Sequence, residues 1–219
     1  MLYDTDVRPT IVFDLGGVLI DWNPRHLYRK LHSDDSAIDQ FLLEVDFNGW
    51  NAAMDRGTPM ADGVQQLKQQ FPRHADWIDV WMHRWRESIL GPIAGTVAIL
   101  EELHAAGFAL LALSNWAADT FAAVRGDFPF LGHFEHIVLS GEERVIKPDP
   151  EIFRRLLARS GRRADECLFI DDVAANVSTA RSLGFDAIQF RTSDELRREL
   201  VHRRILHAPA ASQRRDATE

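Results

Sequence analysis

The sequence predicts a three-layer α/β fold built on a parallel sheet, with a small all-helical segment inserted after the first strand. Five short apolar runs are continuous and not alternating, which is typical of parallel strands covered on both faces. Helical patterns follow most of these runs, as the crossover connections of a parallel sheet require. One long early stretch is helical in pattern and contains no strand candidate.

Three of the predicted helices begin or end at a recognisable local signal. Asp149 followed by Pro150 is typical of an N-cap with proline in the first turn. Gly107 and Gly184 each follow a predicted helix, where a C-terminal glycine belongs. The predicted strands span residues 10–13, 108–113, 136–139, 167–170 and 187–190. The predicted helices that alternate with them span residues 95–106, 117–125, 150–160, 174–183 and 193–203.

The chain divides into three predicted parts. Residues 1–20 and 93–206 form a Rossmann-like core, residues 21–92 form the insert, and residues 207–219 form a flexible tail. The insert holds five of the six tryptophans: Trp22, Trp50, Trp77, Trp81 and Trp85. The last three recur at i, i+4 and i+8, so they form one stripe along a helix, which we interpret as a packing face.

Composition and charge exclude several classes of protein. The chain has 219 residues, 46% hydrophobic and 26% charged, as expected of an ordinary globular protein. Its 25 Lys and Arg against 33 Asp and Glu give a net charge of −8, which disfavours binding to nucleic acid or anionic membranes. Cys167 is the single cysteine, and no export or membrane segment is recognisable, so we expect a cytoplasmic protein. The sequence leaves the oligomeric state open.

Acidic residues follow two of the predicted strands. Asp14 comes directly after the first strand, and Gly16 and Gly17 behind it allow a sharp turn and a close approach to a ligand. Asp171 and Asp172 follow the fourth strand, where two adjacent carboxylates repel each other and are costly to bury. A hard divalent cation such as Mg²⁺ removes that cost. A metal site at this edge therefore explains the pair better than a plain turn does.

Two further motifs contain groups that can bind an anion. Ser114 and Asn115 end the second strand, where a hydroxyl and backbone N–H groups can bind an anion. Lys147, held by prolines just before a helix, is a fixed point charge suited to phosphate. Alone, each motif has an ordinary interpretation as a cap, a turn or a solvated lysine.

In this order and approximate spacing, the four motifs resemble the haloacid-dehalogenase-like hydrolase superfamily, in the subclass with an inserted helical cap. The resemblance covers about residues 10–200 and implies that Asp14 is a nucleophile forming an aspartyl-phosphate. It also implies that Asp14, the Gly16 carbonyl and Asp172 hold Mg²⁺, with Asp171 as second-choice ligand.

The same resemblance assigns the transferring phosphoryl oxygens to Ser114, the Asn115 backbone and Lys147. The implied activity is a Mg²⁺-dependent phosphatase acting on a small phosphorylated metabolite. The cap sets the substrate in such enzymes, and the polar-aromatic stretch with Asn48, Trp50, Asn51 and Arg56 is the expected place for its contacts. Trp116 is a candidate for the pocket wall, and packing in the core is an equal alternative for it.

The sequence departs from the superfamily at Gly16, where phosphatases commonly carry a second aspartate that acts as general acid and base. Asp21 and Glu142 are the substitutes that the sequence offers. Bacterial sugar-1-phosphate phosphatases of the same subclass are similar across the Asp-Leu-Gly stretch, so this departure leaves phosphatase activity open.

Two alternatives remain at the level of sequence. A metal-independent 2-haloacid dehalogenase uses the same nucleophile, but it characteristically has Ser in place of Asp172 and Asp in place of Asn176. Asp172 therefore favours phosphoryl transfer. The second alternative is a catalytically weak binding protein on the same fold, because fold alone does not determine function.

Overall fold

The computed structural model of the protein describes residues 8–207, and a five-stranded parallel sheet lies at its centre. The strands, in chain order, are β1 (Thr10–Phe13), β2 (Ile20–Trp22), β3 (Ile89–Pro92), β4 (Leu110–Ser114), β5 (His136–Leu139), β6 (Cys167–Asp171) and β7 (Asp186–Gln189). The sheet order is β5-β4-β1-β6-β7, so the first strand of the chain lies in the middle. Phe13 pairs with Ala112 on β4 and with Ile170 on β6, which brings the carboxyl ends of these three strands to one edge.

Helices cover both faces of the sheet, and the α/β prediction is confirmed. In chain order they are α1 (Pro24–Tyr28), α2 (Asp35–Glu44), α3 (Phe47–Asp55), α4 (Met60–Gln70), α5 (Ala75–Arg84), α6 (Ala94–Ala105), α7 (Ala118–Val124), α8 (Ser140–Glu143), α9 (Pro150–Ser160), α10 (Ala174–Ser182) and α11 (Ser193–His202). The Asp149 side chain accepts the Glu151 N–H at 2.8 Å, as the N-cap prediction requires. Gly107 and Gly184 follow α6 and α10 as predicted.

The two faces of the sheet bury separate hydrophobic clusters. On β1, Ile11 and Phe13 belong to one cluster and Val12 to the other, as the two-residue period of a strand requires. All three side chains are fully buried. This explains why the strand is a continuous apolar run and why it was recognisable in the sequence.

The helices α1–α5 lie between β2 and β3 and bury a third cluster that includes Tyr28, Phe41 and Trp81. Two antiparallel strands that the sequence did not predict flank this segment, with Asp21 paired to Gly91. They escaped prediction because they are three and four residues long and carry no recognisable apolar alternation. The division at residues 20 and 93 stays a prediction.

The predicted tail, residues 207–219, lies outside the described residues except for His207. No helix within residues 8–207 combines the length and the apolar character that crossing a bilayer demands.

Candidate active site

The sequence-predicted site residues meet at the carboxyl edge of the sheet. Asp14 follows β1, Ser114 ends β4, and Asp171 ends β6. These strands are neighbours, so their ends converge where α/β sheets place ligands. Lys147 reaches the same place from the loop between α8 and α9.

Lys147 connects the two strand ends through a buried ion-pair network. Its Nζ lies 2.9 Å from Asp14 Oδ1 and 2.7 Å from Asp171 Oδ2, and it donates to the Leu113 carbonyl at 2.9 Å. Lys147 is 3% exposed and Asp171 is fully buried, so solvent screens these contacts little. The ammonium is therefore fixed beside Asp14 and is not the solvated surface lysine of the ordinary interpretation.

The side chain of Asn115 holds the backbone of Lys147. Its amide nitrogen donates to the Lys147 carbonyl at 3.0 Å, and its oxygen accepts the Lys147 N–H at 2.8 Å. The Lys147–Pro148 peptide bond is cis. Sequence reasoning assigned Asn115 only a backbone role, because a cross-loop amide pair has no local signature.

Asp171 and Asp172 differ sharply although they are adjacent. Both oxygens of Asp171 are engaged, by Lys147, by the Asn176 amide at 3.0 Å and by the Val173 N–H at 2.8 Å. Asp172 is exposed, and its carboxylate lies against Gly17. Gly17 has φ +75°, and a Cβ there would stand 2.7 Å from Asp172 Oδ2, so only glycine suits this position.

Two carboxyl groups at this edge, those of Asp14 and Asp172, have a raised pKa. Burial raises the pKa of Asp14 well above its ordinary value, and Asp171 adds to the rise while Lys147 opposes it. Partial desolvation of the Asp172 carboxyl by its neighbours and the charge of Asp171 also raise the pKa of Asp172. Burial acts to lower the pKa of Lys147, but the two carboxylates beside it outweigh burial and raise it. A further cation would favour the ionised carboxylates.

The donor set fits a hard divalent cation. Asp14, Asp171 and Asp172 each offer a carboxylate oxygen, and these oxygens lie within 4.8 Å of one another. Oxygen ligands without nitrogen or sulfur suit Mg²⁺ and not Zn²⁺. Asp171 already binds three protein donors, which leaves Asp14 and Asp172 with more capacity for such a cation. Their assignment as its ligands stays a prediction.

A cavity of about 310 Å³ opens above this edge, between the sheet and the helices α3–α5. It is lined by Asp14, Gly16, Ser114, Asn115, Lys147, Asp172 and Asn176 on the sheet side. Its volume is in the range of small-molecule sites. Large apolar side chains form much of the rest of its wall: Trp22, Met54, Met60, Trp81, Trp85 and Trp116.

The predicted tryptophan stripe runs along α5 and one residue past it, because α5 ends at Arg84 and Trp85 begins the next turn. It is only partly the packing face that its spacing predicted. Trp77 packs, stacking on His32 at 3.6 Å between ring centroids. Trp81 and Trp85 pack as well but also line the cavity. Helical spacing shows that residues share a face and does not show which part of that face stays uncovered.

The polar-aromatic stretch of the insert contributes less than expected. Asn51 lines the cavity, but Asn48 and Arg56 are exposed and lie outside its lining. The Trp50 indole N–H donates to the Gly63 carbonyl at 2.9 Å, so this side chain ties α3 to α4. Trp116 belongs to the wall, as the sequence suggested.

The sequence pattern across these elements is that of a known family. A model for haloacid dehalogenase-like hydrolases matches residues 9–184. The chain belongs to this family. It is a hydrolase, and the superfamily predicted from the four strand-end motifs is confirmed.

Relatives of this hydrolase include named phosphatases. It is 27% identical over 183 residues to the sesquiterpene phosphatase astK of Aspergillus oryzae, covering 83% of this chain and 89% of that protein. It is 26% identical over 202 residues to a phosphoglycolate phosphatase of Mesorhizobium japonicum, covering 88% and 87%. Among solved structures, a HAD family enzyme of Bacteroides thetaiotaomicron superposes with a TM-score of 0.67 at 21% identity, covering 85% of this chain and 95% of that one. That likeness supports the fold.

The cavity of this hydrolase also holds an acid that sequence reasoning missed. Neither Asp21 nor Glu142 lines it: Asp21 pairs with His26 at 2.9 Å, and Glu142 is exposed on α8. Asp55, the last residue of α3, does line it. The one available signal was its spacing four residues after Asn51, which places both on one helical face.

Proposed function

We propose that this hydrolase is a Mg²⁺-dependent phosphatase that cleaves a small phosphate ester through an aspartyl-phosphate on Asp14. The observation that carries the proposal is the Asp14 carboxylate, fixed by Lys147 on the cavity floor beside the carboxylate of Asp172. A nucleophile, a fixed cation and a metal-ligand pair at one point suit attack on a phosphate. The relatives named as phosphatases support the same reaction.

Each residue at the edge has a role in the proposed reaction. Asp14 attacks phosphorus, and the bond to the leaving oxygen breaks. The Ser114 hydroxyl, the Asn115 backbone N–H and Lys147 bind the phosphoryl oxygens and keep them in place. Asp14, Asp172 and the Gly16 carbonyl would hold Mg²⁺, which would supply positive charge to offset the negative charge of the phosphoryl group.

Asp171 and Asn176 position the reacting groups without touching the phosphate. Asp171 holds the Lys147 ammonium at 2.7 Å, and Asn176 donates to both Asp171 oxygens at 3.0 Å. Lys147 is thereby aimed at the site before substrate arrives. Such preorganisation spares reorganisation during the reaction.

A paired assay separates the candidate activities. Turnover of p-nitrophenyl phosphate with and without Mg²⁺ is measured beside chloride release from 2-chloropropionate. The phosphatase proposal expects phosphate release with Mg²⁺ alone. Chloride release without metal would indicate the dehalogenase, and no turnover of either compound would indicate a binding protein.

Metal removal is the first expected outcome. We expect EDTA to abolish turnover and Mg²⁺ or Mn²⁺ to restore it, because the carboxylates of the site outnumber its cations. Asp172→Asn is expected to raise the Mg²⁺ concentration for half-maximal rate by roughly tenfold or more. Asp194→Asn, at an exposed aspartate on α11, is the matched control and should leave the requirement unchanged. Full activity in EDTA would contradict the metal role.

The cavity wall favours a substrate with an apolar organic group. Four tryptophans line the cavity, Trp22, Trp81, Trp85 and Trp116. Burying such a group against them is favourable at about 25 cal/mol per Å². The likeness to a sesquiterpene phosphatase points the same way, although a phosphoglycolate phosphatase is about equally similar.

We therefore expect aryl or isoprenyl phosphates to give higher kcat/KM than phosphoglycolate. Trp22→Ala is expected to lower kcat/KM for the apolar esters by roughly tenfold and to affect phosphoglycolate less. Trp77→Ala is the control, since Trp77 stacks on His32 and lies outside the lining. A preference for phosphoglycolate that Trp22→Ala leaves intact would overturn this substrate class.

A further inference from the structure

Asp55 is a carboxyl group held between the helical segment and the sheet. The Asn51 amide donates to Asp55 Oδ2 at 2.9 Å, and the backbone N–H of Ala117, just before α7, also donates to the carboxyl. Among the described residues that line the cavity, three carry carboxyl groups: Asp14, Asp172 and Asp55. Asp14 is the proposed nucleophile, and Asp14 and Asp172 are the proposed metal ligands. Asp55 has no role among these.

The direction of the reaction brings the leaving oxygen toward Asp55. Phosphoryl transfer proceeds with the attacking and leaving oxygens roughly in line. Asp14 attacks from the sheet edge, so the leaving oxygen faces the opposite side of the cavity, where the helical segment lies. The superfamily's usual acid position offers no proton donor here, because Gly16 has no side chain.

We propose that Asp55 is the general acid and base of this phosphatase and supplies from the cap the function that Gly16 cannot. The inference rests on the proposed phosphatase activity. As Asp14 bonds to phosphorus, the ester bond breaks and the Asp55 carboxyl gives its proton to the leaving oxygen. The resulting Asp55 carboxylate then takes a proton from the water that attacks the aspartyl-phosphate. The bond between phosphorus and Asp14 breaks, which releases phosphate and restores the Asp14 carboxylate and the protonated Asp55 carboxyl.

The proton affinity of Asp55 suits both halves of this cycle. Burial raises the pKa of Asp55 to about 7, against the opposing effects of the Ala117 N–H and the positive charges of Lys147 and Arg56. Lys147 acts through its charge from the loop before α9, and Arg56 is the next residue along the chain. A group that works as acid and then as base is most effective when its pKa lies near the working pH.

The test is the dependence of kcat on the leaving group's pKa for aryl and alkyl phosphates, in the wild type and in Asp55→Asn. We expect a shallow slope in the wild type and a steep one in the variant, with alkyl phosphates losing roughly 10²–10⁴-fold and p-nitrophenyl phosphate far less. The alkaline fall of the wild-type rate near neutral pH should disappear in the variant. Asp62→Asn, at an exposed aspartate on α4, is the matched control.

Two further measurements separate proton transfer from structural damage. Gly16→Asp added to Asp55→Asn should restore alkyl phosphate turnover, because the space beside Gly16 is open and its φ is not positive. At about pH 8.5 the wild type itself should show a steeper slope than at about pH 6, since Asp55 is ionised there. This second measurement uses the wild type alone, so its result does not depend on whether a variant folds.

The outcomes are distinguishable. Equal slopes in the wild type and Asp55→Asn, or an equal loss for all leaving groups, would overturn the role of Asp55 and leave the phosphatase standing. A wild type without Mg²⁺-dependent turnover would overturn both proposals. The thermal midpoint of Asp55→Asn at alkaline pH should be no lower than that of the wild type. The folded-state pKa of Asp55 is raised, so its stabilising contribution is lost as pH rises through about 7, and a neutral amide avoids that loss.

Discussion

Asp14→Asn should abolish turnover of every phosphate ester while leaving the fold intact. The amide has the shape of the carboxylate and can still accept the Leu15 N–H, which lies 2.7 Å from Asp14 Oδ1. It lacks the nucleophilic oxygen pair and a charged metal ligand, and residues that act as one unit lose nearly all activity when one is removed. Initial rates with p-nitrophenyl phosphate in saturating Mg²⁺ measure the loss.

A matched control tests whether the loss of turnover is specific to Asp14 or follows from removing any aspartate near the site. Asp21→Asn changes an aspartate only seven residues away, but Asp21 lies outside the cavity lining and pairs with His26. We expect it to keep turnover near the wild-type level. Circular dichroism of both variants reports the fold. Activity of Asp14→Asn within tenfold of the wild type would refute the nucleophile.

The parts of the site that the sequence predicted are those with local signals. Asp14, Ser114 and Asp171 each directly follow or end a buried apolar strand, and the ends of parallel strands meet at one edge. Once the strands are recognised, the convergence of these residues follows from topology. Their roles in the reaction stay predictions.

Other features of the site depend on contacts between distant segments. The difference between Asp171 and Asp172 arises because Lys147 and Asn176 reach the first and not the second. The amide pair between Asn115 and Lys147 joins positions 32 residues apart. Asn176 is only five residues from Asp171, but the contacts of Lys147 span 24 and 32 residues, so the motif alone could rank the two aspartates only by resemblance.

The cap side of the cavity was the least predictable part. Which face of each helix meets the cavity depends on how α3–α5 pack on the sheet, and amphipathic spacing leaves that orientation open. Trp81 therefore resembled an ordinary packing residue, and Asp55 resembled an ordinary polar residue near a helix end. A motif defined by its spacing from the nucleophile does not include an acid that lies on the cap.

Lys147→Met should remove both activity and a large part of the stability. The substitution keeps most of the apolar stem but leaves Asp14 and Asp171 buried without their shared cation. Breaking a buried ion pair from one side typically costs about 3–5 kcal/mol. Lys68→Met is the matched control, because Lys68 pairs with Asp79 at 2.8 Å in a half-exposed contact worth about 0–1 kcal/mol. Denaturant unfolding and kcat/KM are measured on both variants.

The double variant Lys147→Met/Asp171→Asn separates stability from catalysis. Removing the charge of Asp171 relieves its repulsion with Asp14, and the asparagine oxygen can still accept from Val173 N–H. We therefore expect the double variant to regain part of the lost free energy of unfolding but none of the lost kcat, since no ammonium group then faces the phosphate. Recovery of turnover together with stability would show that Lys147 only balances buried charge. Recovery of stability alone would support its action on the phosphoryl group.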